Sequence, residues 1–114
     1  MATRYYISFK DPKKARGREP AFSFSANGAD EFALQLQEAL RGDGLFRRWR
    51  EAQPDPDAVD ASLGATDPGA TVKGEQHDLQ IDLIVVTSIP GSVFKHRLRL
   101  LAGSAWELRD VSSA

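Results

Sequence analysis

Apolar and polar residues alternate from Tyr5 to Lys10, with Tyr5, Ile7 and Phe9 on one side and Tyr6, Ser8 and Lys10 on the other. This period of two is the signature of a half-buried strand. Phe22 and Phe24 alternate with Ser23 and Ser25 in the same way. Asp11-Pro12 and the stretch from Gly17 to Pro20 interrupt the pattern between them, which predicts a hairpin with a long loop. The period then changes. Asn27 suits a helix N-cap, and Asp30 follows where a negative charge favours the helix dipole. Phe32, Leu36, Ala39 and Leu40 recur at helical spacing, Gly42 is placed to end the helix, and Leu34 falls outside the stripe. Asp43 can cap a second, shorter helix presenting Leu45, Phe46 and Trp49, which Pro54 stops.

The stretch from Asp78 to Val111 reads as three consecutive strands. Leu79, Ile81, Leu83 and Val85 alternate with Gln80, Asp82, Ile84 and Val86, and the run from Ser88 to Ser92 turns the chain. Pairing Ser88 with Val93 sets Val85 opposite His96, Leu83 opposite Leu98 and Asp82 opposite Arg99. A three-residue Ala102-Gly103-Ser104 loop then sets Leu98 against Leu108, Arg99 against Glu107 and His96 against Asp110. In this register Ile81, Leu83, Val85, Leu98, Leu100, Trp106 and Leu108 share a buried face. Lys95, Arg97 and Arg99 surround Ile84, Val86 and Leu101 on the other. The predicted fold is α+β, a mainly antiparallel sheet of about five strands in ββαα-βββ order with two helices packed on one face.

At 114 residues the chain is long enough for one domain with its own core, and the absence of cysteine removes disulfide and thiolate chemistry. Residues 53–71 are rich in Asp, Pro, Gly, Ala and Thr, with Val59 and Leu63 as their only large aliphatics, and read as a flexible acidic loop. The longest purely aliphatic run, Leu83 to Val86, is far too short to cross a bilayer, and the first residues lack the apolar run of a signal peptide. A cytoplasmic protein that does not engage membranes is the expectation. The net charge of −1 is unevenly spread: residues 1–26 carry six Lys/Arg against two Asp/Glu, whereas residues 53–78 carry one Lys against six Asp/Glu.

Three functional readings follow. The first is a non-enzymatic protein-binding or adaptor module whose partner is another protein or a second copy, using Ile84, Val86 and Leu101 ringed by Lys95, Arg97 and Arg99. The second is a nucleic-acid-binding module. Phe46-Arg47-Arg48-Trp49-Arg50 interleaves aromatic and basic residues, and the loop with Lys13, Lys14, Arg16 and Arg18 adds positive charge. An overall acidic balance weighs against it. The third is a small enzyme in which Asp110 orients His96 as an acid–base pair, although no nucleophile is placed beside them. No metal or cofactor is expected. Asp55, Asp57 and Asp60 lack the Gly and Glu of a calcium loop, Glu75 with His77 supplies only two ligands, and Gly42-Asp43-Gly44 lacks the third glycine of a dinucleotide fingerprint.

Overall fold

The computed structural model describes residues 2–114. Along the chain it forms β1 (Thr3–Phe9), α1 (Ala29–Arg41), α2 (Gly44–Glu51), β2 (Thr71–His77), β3 (Gln80–Thr87), α3 (Gly91–Ala102) and β4 (Glu107–Ser113). The strands form one sheet in the order β2-β3-β1-β4, and every neighbouring pair is antiparallel. The α+β class and the antiparallel sheet agree with the sequence. The count does not: among the described residues there are four strands rather than five, and three α-helices rather than two. Each helical crossover joins strands separated by one other strand, the β-α-β-β-α-β order of a split βαβ arrangement.

The core forms where alternating residues of the two central strands coincide. Tyr5 pairs with Val85, Ile7 with Leu83 and Phe9 with Ile81, and all six side chains are buried. Phe32, Leu36 and Leu40 of α1 and Phe94 and Leu98 of α3 close over them. Tyr5 stacks on Phe94 at 4.4 Å between ring centroids. Phe9, Phe24 and Phe32 form a second aromatic cluster at 4.9–5.9 Å. Each such ring buries a large apolar area and adds a specific packing geometry to this small core.

Residues 91–102 depart from the expected strand. Val93, Phe94, Arg97, Leu98, Leu101 and Ala102 are buried, and that spacing is helical. The Phe94 N–H donates to Pro90 O at 2.9 Å to start the helix. Gly103, at φ 64°, ends it with its N–H on Arg99 O at 2.9 Å. Val93 is the only β-branched residue in the segment, so intrinsic propensity also favours the helix. The meander therefore does not exist: α3 carries the chain across the sheet, and β4 pairs with β1, with a register shift between Tyr6 and Ile7.

The expected hairpin at Phe22–Ser25 is also replaced. Pro20–Phe22 is a 3-10 turn, and the Phe24 N–H donates to Leu101 O at 2.9 Å, capping α3. Gly17 passes so close to the Leu100 carbonyl that a side chain there would collide with it. β2 was not expected, because Val72 is its only aliphatic residue.

Residues 53–71 carry two 3-10 turns, Pro56–Ala58 and Ala61–Gly64. They are tied to the body by Arg97, which donates to Leu63 O at 2.6 Å, Ala65 O at 2.8 Å and Ala39 O at 3.2 Å. Asp67 forms a second tie, accepting from Thr87 Oγ1 at 3.0 Å and Ser88 N at 2.9 Å.

The two sheet edges are finished differently. On β2, Gln37 Oε1 accepts from Val72 N at 3.0 Å, Arg41 Nε donates to the neighbouring Ala70 O at 2.7 Å, and Gly74 admits the Ala29 backbone. α1 thereby covers that edge. β4 is exposed at Glu107 and from Arg109 onward, guarded only by its bulge and its charges. No helix among the described residues is long and apolar enough to cross a membrane.

Candidate functional site

The structure separates the six residues expected to form one binding face. Ile84 and Val86 lie half-buried on the bare face of the sheet. Lys95, Arg97, Arg99 and Leu101 lie on α3, in the layer packed against the opposite face. Arg97 is 1% exposed and Leu101 belongs to the core, because a helical period turns both inward where a strand would have turned them out. Burial lowers the Arg97 pKa, opposed by the carboxylate of Asp43. Its three carbonyl acceptors make it a fastener of the fold.

His96 and Asp110 do not meet. The His96 ring packs edge-on against Trp49 of α2 at 4.6 Å, whereas Asp110 sits opposite Tyr6 in the β1–β4 ladder. Desolvation holds the His96 pKa below the usual imidazole range, and the charges of Arg99 and Arg97 push it the same way. A carboxylate partner would have raised it.

The basic residues also disperse. Lys13 and Lys14 are exposed on the 3-10 turn Pro12–Lys14. Arg16 donates to Ala26 O at 2.7 Å and lies 5.6 Å from the Phe32 ring centroid. Arg47 pairs with Asp43 at 3.3 Å, and Arg50 donates to Pro56 O at 3.0 Å. Arg18 and Arg48 are exposed.

The bare sheet face brings together residues that are distant in sequence. Read across β2, β3, β1 and β4, its rows are Thr71–Val86–Arg4–Ser112, Lys73–Ile84–Tyr6–Asp110 and Glu75–Asp82–Ser8–Glu107. Tyr6, Ile84 and Val86 form a half-buried apolar centre, with Arg4 towards one end, Lys73 and Asp110 flanking it on either side, and the carboxylates of Glu75, Asp82 and Glu107 towards the other end. The polar end is tightly connected. Ser8 Oγ donates to Asp82 Oδ1 at 2.6 Å, Gln80 Nε2 donates to the same oxygen at 2.9 Å, and His77 Nε2 lies 3.3 Å from both Asp82 and Glu75. Lys10 and Arg109 hold Glu107 at 3.1 and 3.2 Å.

Partial burial pushes the Asp82 carboxyl up, but the Ser8 and Gln80 hydrogen bonds and the charges of His77 and Arg109 together hold its pKa below the usual carboxylate value. Glu107 is held low chiefly by its hydrogen bond from Lys10, against a small desolvation. Asp82 and Glu107 are thus ionised near neutral pH and already engaged.

Tyr6, Ser8 and Lys73 were not singled out from the sequence. Tyr6 and Ser8 were legible as the outward positions of β1. Lys73 was not, because β2 has too little apolar patterning to announce itself. Comparison with protein-family models, curated proteins and solved structures finds no match to this chain.

Proposed function

We propose that the chain is a non-enzymatic protein-binding module that docks through the bare face of its sheet, and that its partner is a second copy. The row Lys73–Ile84–Tyr6–Asp110 carries this reading, because read end to end it is its own complement. A two-fold axis parallel to the strands, between β3 and β1, lays Tyr6 on Ile84 of the second copy and Lys73 on its Asp110. Such an isologous contact repeats each pair twice. Sheets pack face to face with their strands roughly aligned, which this axis permits. The same operation sets Glu75 against Glu107 of the second copy, where Lys10 and Arg109 already compensate that charge. An apolar centre with a charged rim is the anatomy of a protein interface.

Light scattering across a concentration series tests the reading. Wild type is expected to approach twice the monomer mass, and Ile84→Glu to remain monomeric. Lys73→Glu and Asp110→Lys are each expected to weaken association, and the double exchange to restore it. A wild type that stays monomeric at every concentration removes the proposal.

A further inference from the structure

In the helical layer, the segment around Pro20–Phe22, the end of α2 and the last turn of α3 enclose an open groove of about 730 Å³, lined among others by Arg18, Phe22, Trp49, Gln53 and Arg99. A second hollow of about 300 Å³, bordered by Arg48, adjoins it and shares Ala21 and Phe22 as lining residues. Most arginine side chains of this protein are engaged: Arg16, Arg41, Arg50 and Arg97 hold backbone carbonyls, and Arg47 and Arg109 hold carboxylates. Among the described residues, Arg4, Arg18, Arg48 and Arg99 make no side-chain hydrogen bond or ion pair. Of these, Arg18 and Arg99 border the groove and Arg48 the adjoining hollow.

The aromatic part of the groove is held in place. Trp49 is gripped by Phe46 at 6.1 Å and by the edge-on His96 ring at 4.6 Å, while its remaining surface lines the groove. Gln53 Nε2 donates to Trp49 O at 2.9 Å, which leaves its amide oxygen free to accept. Glu19 and Glu38 are the only acidic side chains in the two linings, against three guanidinium groups.

We infer that this groove binds a nucleotide unit, its base on Trp49 and its phosphate on Arg18 and Arg99. An indole face accepts any base by stacking, and a planar guanidinium matches phosphate oxygens in a fork. Arg48 in the adjoining hollow is placed for a further phosphate, which favours a single strand over a free nucleotide. The inference differs from a general basic surface, because Lys13, Lys14, Arg16, Arg47 and Arg50 take no part in it. It is independent of the sheet face, which lies on the other side of the molecule.

The test is fluorescence anisotropy of a labelled ten-nucleotide single strand at low salt, with unlabelled mononucleotide and duplex as competitors. Binding is expected to fall with salt with a log–log slope of about −2, as for roughly three phosphates on a single strand. Arg18→Gln and Arg99→Gln are each expected to weaken it several-fold. Trp49→Leu is expected to weaken it about 5- to 150-fold, the span of a lost base stack. Trp49→Phe retains an aromatic face and most of the binding, which separates loss of the platform from loss of the fold. A mononucleotide that competes as well as the strand makes the free nucleotide the ligand. The inference is overturned by no binding of strand or mononucleotide at low salt. Binding that survives all three groove substitutions but is lost on Lys13→Gln with Lys14→Gln overturns it equally.

Discussion

The carboxylate end of the bare sheet face and the helical-layer cavities both present charge, but they handle it in opposite ways. On the sheet, Asp82 accepts from Ser8 and Gln80 beside His77, and Glu107 is held between Lys10 and Arg109. In the cavities, Arg18, Arg48 and Arg99 point at no acceptor of the chain among the described residues. Charges neutralised within one surface cost less to cover with another protein, since little unpaired charge is buried. Charges without internal partners retain their capacity for an external anion. The two surfaces therefore suit different kinds of ligand, and the contrast rests on the same few hydrogen bonds that hold the fold together.

Arg97 marks the boundary between the two behaviours, as an arginine of α3 wholly consumed by the fold. Arg97→Ala is expected to cost about 3–5 kcal/mol, because it opens a cavity and leaves the carbonyls of Ala39, Leu63 and Ala65 without their donor. Urea unfolding measures it. A loss below 1 kcal/mol would show that residues 61–65 do not depend on this anchor.

Asp67→Ala is expected to cost about 1–3 kcal/mol, through unmade bonds to Thr87 and Ser88. The Ser88 N–H is the first cause of its lowered pKa. A group depressed in the folded state stabilises above its unfolded value, near 3.8, and that contribution disappears as pH falls through the folded pKa. The substitution should therefore flatten the acid limb of the stability curve, and an unchanged limb would argue against the tie.

On the sheet, Asp82→Asn is expected to cost about 0.5–1.5 kcal/mol near neutral pH, by the loss of charge-assisted bonds. The same sign applies: the difference from wild type should shrink on acidification, once the wild-type carboxylate is itself protonated. A constant difference from pH 7 to pH 2 would contradict the assignment.

The smallest effect concerns His96. Its folded pKa lies below the ordinary value of 6.5, so its neutral form is favoured in the folded state. Stability is expected to fall slightly as pH drops from about 6.5 towards the folded pKa, then to level off. NMR should place the imidazole midpoint below 6.5, and Arg99→Gln should move it upward. A midpoint above 6.5 would mean that an acid does reach the ring.

Much of the architecture was legible along the chain. The stripe of Phe32, Leu36, Ala39 and Leu40 marks α1, observed at Ala29–Arg41 with Leu34 exposed as its position implies. Asp43 and the Leu45-Phe46 pair mark α2. Alternation marks β1 and β3, and β4 is expected as a strand up to Val111. In the segment 91–102, Leu98 and Leu100 recur at every second position while Phe94, Leu98 and Leu101 recur at helical spacing, so Leu98 fits both periods. Cross-strand charge pairs such as Asp82 with Arg99 favour a strand, yet such pairs contribute only about 0.2–1 kcal/mol. Burying Phe94, Leu98 and Leu101 along one helical side outweighs them.

Local periodicity by itself determined the class, the positions of β1, β3, α1 and α2, and which side of each central strand faces inward. These depend on side-chain spacing within a few residues, which is written in the chain. Only the tertiary structure decided that β4 pairs with β1, that α1 seals the edge of β2, that Arg97 is buried, and that Arg18, Trp49 and Arg99 meet. Those outcomes depend on contacts between segments dozens of residues apart. They are settled by which arrangement buries the apolar surface of all the segments at once, a condition that no single segment contains.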